Sequence, residues 1–136
     1  MEVIKPEELS TNGTMGRPKY VVLGAGGHAR VILEAFPSAE LIKVVLLDDD
    51  LKKTFTSVMG ARVLGPMALL DQLTDAEFII GVGSVGRTTI RRELWERAIK
   101  AGLRPMGWIR AAGAWVSASA TVGNGTFIGP GAMVGA

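Results

Sequence analysis

Tyr20-Val21-Val22-Leu23-Gly24-Ala25-Gly26-Gly27-His28-Ala29 is the stretch on which the fold turns. A short β-branched run passes directly into a glycine-rich turn. Residues 29, 31–33 and 35–36 then supply the apolar positions of a short helix that Pro37 ends. The same order repeats downstream. Residues 42–47 form a second apolar run, closed by Asp48-Asp49-Asp50. Residues 62–64 read as a short third strand ended by Gly65-Pro66, with a helix over 67–73 behind it. Residues 78–82 read as a fourth strand, followed by Gly83-Ser84-Val85-Gly86. A helix is predicted over 87–101, with Ile90, Leu94 and Ile99 near one face, charges on the other, and Gly102 as its stop. Residues 104–109 complete a fifth strand. Runs that are apolar throughout suit strands covered on both faces, and strand–helix alternation implies right-handed crossovers. The expected fold class is α/β, a Rossmann-like, doubly wound parallel sheet. Such sheets bind ligands at the carboxyl ends of their strands, where the chain order reverses.

From Trp115 the pattern changes to WVSASATVGNGTFIGPGAMVGA. Val116, Val122, Ile128 and Val134 recur every six residues, with small residues Ala120, Thr126 and Ala132 four positions after the first three. One inward aliphatic per hexapeptide with a small residue at the corner is the pattern of a parallel β-helix. The expected organisation is a flexible tail over residues 1–19, a Rossmann-like domain over 20–109, and a linker with the first β-helix coil over 110–136.

Bulk properties narrow the function. The 136 residues are 48% apolar and 21% charged, and 15 basic against 13 acidic side chains leave +2. No basic run is interleaved with aromatics, which argues against a nucleic-acid partner. With no cysteine and one histidine, disulfides and thiolate metal sites are excluded and no metal centre is expected. No segment has the length of a membrane span or the form of a secretory leader, so a cytoplasmic chain without a membrane partner is expected.

The candidate site lies at the strand ends. Gly24, Gly26 and Gly27 allow a tight turn and close approach of backbone N–H groups to a diphosphate, favoured by the following helix N-terminus. A turn that merely packs helix on strand has the same look, but the strand before and helix after favour a ligand. His28 at that helix start tends to be neutral and able to bond a phosphate or sugar hydroxyl. No nucleophile or base partner accompanies it, so no catalytic role is assigned. One of Asp48 and Asp49 is expected to face the ligand, alternation sending the other elsewhere, while Asp50 reads as a solvated turn. Gly83 and Ser84 line the same crevice. Arg87 or Arg91 could offset phosphate charge there, but both read first as the polar face of their helix.

Val22 through Ala29, Leu47-Asp48-Asp49-Asp50, Gly81-Val82-Gly83-Ser84 and the hexads together resemble one family. It is the sialic-acid O-acetyltransferase and bacterial UDP-amino-sugar N-acetyltransferase group of left-handed β-helix acyltransferases. The resemblance covers residues 20–136. It implies that the α/β domain holds a nucleotide sugar (a UDP-sugar in surface-glycan biosynthesis) through Gly26, Gly27, His28, Asp48, Asp49 and Gly83. It also implies a homotrimeric β-helix that binds acetyl-CoA between coils and supplies a histidine general base.

Two departures qualify it. Where the family carries a His-Pro step, Ile109 is followed by Arg110-Ala111-Ala112-Gly113, and no histidine follows His28. Three hexads make one coil, and residues 116–133 supply three. The expectation is therefore a truncated or naturally short chain that binds nucleotide sugar without the acetyl-CoA site or acetyl transfer. Two other readings stay open: an NAD(P)-binding Rossmann domain, which the first loop and Asp48 also suit, and a non-catalytic assembly module joined through the hexads.

Overall fold

The computed structural model describes residues 17–83 and 89–136. Most of the expected tail and the expected positions Ser84 and Arg87 lie outside them. Arg17 forms an ion pair with Asp75. Lys19 extends the first strand's ladder, its N–H donating to the Lys43 carbonyl and its carbonyl accepting from the Glu77 N–H.

Five parallel strands and one antiparallel edge form the sheet: β1 (Tyr20–Leu23), β2 (Val44–Leu47), β3 (Ser57–Val58), β4 (Ala61–Gly65), β5 (Glu77–Ile80) and β6 (Arg104–Pro105). Their order is β3-β4-β2-β1-β5-β6, and only the β3–β4 pair is antiparallel. The chain runs outward from β1 through β2 to β4, then returns to the other side of β1 as β5. The order therefore reverses between β1 and β5. In register, Leu23 lies beside both Leu47 and Ile80, so three strand ends meet at one edge.

The apolar runs become strands because both faces are covered. Val21, Leu23, Val45, Leu47, Phe78 and Ile80 face one core, Val22, Val44, Leu46 and Ile79 the other. Helix α1 (Gly27–Glu34) covers the second face with Ala29, Ile32 and Leu33. Helix α2 (Thr89–Lys100) covers the first, Trp95 meeting Phe78 edge-on at 5.1 Å.

Three expectations change. Met67–Gln72 is a 3-10 turn and not an α-helix: six residues after Pro66 bury Met67, Leu69 and Leu70 without completing a longer element. On α2 the packed side chains are Leu94, Trp95 and Ala98, whereas Ile90 and Ile99 are exposed. The 4-residue steps from 90 to 94 to 98 share a stripe, but the close approach to the sheet falls at small Ala98. The expected fifth strand splits. Pro105 closes the β6 ladder, and β7 (Ile109–Arg110) pairs instead with β9 (Phe127–Ile128).

That pairing sets up the coil. Ile109 lies in register with Phe127, and Trp115 of β8 (Trp115–Val116) with Met133 of β10 (Met133–Val134), both pairs parallel and eighteen residues apart. Three hexapeptides thus return the chain to the same side one layer on, as a parallel β-helix requires. The coil begins at Ile109, seven residues before the first hexad aliphatic, so a second layer is already under way at β9 and β10. Of the hexad aliphatics Ile128 is buried, and Val116, Val122 and Val134 are half-buried. The coil is joined to the sheet. The Gly125 N–H donates to the Met106 carbonyl at 2.7 Å, and the Trp95 ring of α2 packs on Gly125.

Candidate nucleotide site

The turn after β1 is shaped by its neighbours. Gly24 has φ +117°, and a Cβ there would lie 2.8 Å from Val82 Cγ2 and 3.1 Å from the Gly81 carbonyl group. Its N–H donates to the Leu47 carbonyl, and the Gly81 N–H donates to Leu23, so the turn is pinned to β2 and β5 together. Gly24 is glycine because the protein itself leaves no room.

Gly26 and Gly27 are different. Neither has positive φ, and a Cβ at either would meet nothing within 4 Å. Both are exposed at the start of α1, where the unpaired N–H groups and the positive end of the helix dipole lie. Among the described residues, no side chain caps that terminus. Nothing among the described residues asks for glycine at these two positions. Bare backbone there keeps the approach open to something outside the chain.

Asp48 and Asp49 part company, as alternation requires. Asp48 Oδ2 accepts from the Ala25 N–H at 2.9 Å and Oδ1 from the Asp50 N–H at 2.8 Å, with Lys53 Nζ 3.6 Å away. Its carboxylate braces the glycine turn from beneath. Asp49 Oδ1 instead accepts from the Met67 N–H at 2.9 Å, at the start of the 3-10 turn beyond β4. Asp50 caps the turn Leu51–Lys53 through the Lys52 N–H. The structure therefore brings Gly24, Gly26, Gly27, His28, Asp48 and Gly83 to one edge and commits Asp49 to a neighbouring turn.

His28 is half-buried. Gly83, after β5, lies against it: a Cβ on that glycine would stand 3.6 Å from His28 Cβ. The Phe127 ring of β9 meets the imidazole edge-to-face, centroids 5.9 Å apart at 81°. Burial, reinforced by the Arg91 charge, holds the imidazole's pKa below its ordinary value of 6.5. It is therefore neutral at pH 7 and can both donate and accept a hydrogen bond. Arg91 reaches back from α2 to donate to the Val82 carbonyl, which puts a cation beside the crevice and not merely on a solvated face. Arg91, read first as the polar face of its helix, arrives here through a tertiary contact, as does Phe127, which the hexad pattern does not mark as part of the site.

Residues 19–98, more than half of the chain, match the model of the PglD N-terminal domain. The chain belongs to that family. Solved structures share the fold. A single-residue mutant of perosamine N-acetyltransferase from Caulobacter crescentus, in complex with CoA and GDP-perosamine, superposes with a TM-score of 0.71 at 26% identity, over 86% of this chain and 54% of that one. The acetyltransferase domain of PglB from Neisseria gonorrhoeae FA1090, in complex with acetyl coenzyme A, gives 0.66 at 32% identity, over 85% and 55%. No curated protein matches. The chain spans about half the length of these structures. As a PglD-type domain it shares its fold with sugar N-acetyltransferases, and its glycine turn sits at the switch point of a Rossmann-like sheet.

Proposed function

We propose that this PglD-type domain binds the diphosphate of a nucleotide sugar at the Gly24–His28 turn, as the substrate-holding part of an acetyl-CoA-dependent sugar acetyltransferase. The observation that carries this reading is the pair Gly26 and Gly27, side-chain-free at a helix start that no described side chain caps, although neither backbone conformation nor packing among the described residues needs them to be. Diphosphate oxygens accept from those N–H groups, the helix dipole favours their charge, and Arg91 adds a cation. Neutral His28 is left to bond a sugar hydroxyl or phosphate oxygen. Asp48 acts through Ala25, setting the turn.

GDP-perosamine in one relative and acetyl coenzyme A in another support the substrate classes. Acetyl transfer by the whole protein, a UDP-sugar as substrate, a trimeric left-handed β-helix and a cytoplasmic setting are part of the same proposal. So is the division in which the sheet holds the sugar nucleotide and the coil leads to the acyl donor.

Calorimetric titration with UDP, GDP and NAD tests the ligand class. Binding of one or both nucleoside diphosphates, in preference to NAD, is the expected outcome. Binding of NAD alone would transfer the domain to dinucleotide chemistry, and no binding of any of the three would leave the coil as an assembly device.

A further inference from the structure

Phe127 belongs to β9, in the second layer of the coil, about a hundred residues from the glycine turn, yet its ring touches His28. The contact has a definite geometry. The rings stand nearly perpendicular, the arrangement in which the edge of one meets the electron-rich face of the other. Gly83 closes the imidazole from the β5 side without a side chain of its own. Phe127 also packs with Ile109, its partner one layer below, against the core that contains Ala29, Ile32 and Leu33 of α1. The ring is therefore fixed from behind by the coil and presents a rigid wall to a histidine at the helix start.

We propose that Phe127 is a positioning residue: it holds the His28 imidazole at the carboxyl edge of the sheet, so that the coil sets the orientation of a side chain in the nucleotide turn. This rests on the nucleotide-sugar reading of that edge. His28 lies on the first turn of an eight-residue helix and would otherwise be free to swing toward solvent. Of the two walls that the described residues provide, Gly83 contributes only backbone and Phe127 a side chain that can select the rotamer. Among the described residues, the charged group that acts on the imidazole is Arg91, reaching from α2. Placement of His28 thus depends on α1, the β5 end and the coil being assembled, with Arg91 of α2 beside them.

The chain has a single histidine, so one imidazole resonance reports the site without assignment ambiguity. The experiment follows that resonance by NMR across pH in the intact chain and in Phe127→Ala, Phe127→Leu and Phe127→Tyr, with UDP and GDP titrations on each. In Phe127→Ala and Phe127→Leu the His28 midpoint should rise toward the ordinary value as its wall is lost. Affinity for whichever nucleotide binds should fall about fivefold, as befits the loss of one aromatic contact. Phe127→Tyr, which keeps the ring, should restore both. Leucine keeps the coil's apolar contact, so a change in Phe127→Leu is not a failure to fold. An unmoved His28 midpoint in folded Phe127→Leu and Phe127→Ala overturns the proposal. Should neither nucleotide bind the unmodified chain, the nucleotide reading fails separately, and the midpoint still decides the positioning.

Discussion

Gly24→Val should destabilise the domain by about 3 kcal/mol and abolish nucleotide binding. Two independent costs meet at this position. The backbone has φ +117°, a region that residues with a Cβ scarcely enter, and the new Cβ would sit 2.8 Å from Val82 Cγ2 and 3.1 Å from the Gly81 carbonyl. The backbone fixes that Cβ, so the contact with the Gly81 carbonyl is relieved only by displacing the segment that follows β5. That displacement breaks the two bonds that hold the turn, Gly24 N–H to Leu47 and Gly81 N–H to Leu23. A thermal melt should move down by roughly 10 °C or more. A midpoint unchanged within a degree or two would mean the turn is not built as described.

Gly27→Val should do the opposite: leave stability within about 0.5 kcal/mol and weaken nucleotide binding roughly 30-fold or more. The position is exposed, φ is not positive, and a Cβ meets nothing within 4 Å. Valine in the first turn of α1 is no worse a helix former than glycine, so the fold has no reason to object. What valine removes is access. Its methyls occupy the space through which phosphate oxygens reach the N–H groups at the helix start, and losing two such charge-assisted bonds accounts for the expected factor. Thermal melts and titrations run in parallel on the two glycine variants separate a glycine needed by the fold from one needed by the ligand. Binding by Gly27→Val equal to that of the unmodified chain would remove the main support for a diphosphate at this turn.

The contrast between these glycines marks how far the sequence could be read. The apolar runs, the turn between Leu23 and His28, and the six-residue period each depend on neighbours in sequence, and the sheet and coil follow that pattern. The alternation of Asp48 and Asp49 was also legible, because consecutive residues at a strand end point apart. What Asp48 does was not legible: its carboxylate braces the Ala25 N–H across the β1–β2 gap. The β3 edge escaped because Ser57–Val58 is a two-residue hairpin arm turned through Met59 at φ +51°, a conformation the residue type does not announce. The packed face of α2 was misjudged for a related reason. Ile90 and Ile99 are the larger apolar residues, but the helix approaches the sheet at Ala98, where small size permits contact. Arg91, Phe127 and the stacking of Trp95 on Gly125 depend on elements brought together by the fold, and no local pattern encodes them.

The site at the reversal of strand order also has a competitor within the molecule. A cleft of about 260 Å³ lined by Tyr20, Phe36, Pro37, Glu40, Met106 and Ile109 opens near the start of β1, at the opposite end of that strand from Gly24. It is apolar apart from Glu40, whose carboxylate would repel a diphosphate. Amide chemical-shift mapping on addition of UDP and GDP discriminates between the two ends in a single measurement. Shifts concentrated at Ala25–Ala29, Asp48 and Val82–Gly83, together with the His28 imidazole, are the predicted result. Shifts concentrated at Tyr20, Phe36 and Met106, with the glycine turn silent, would contradict it.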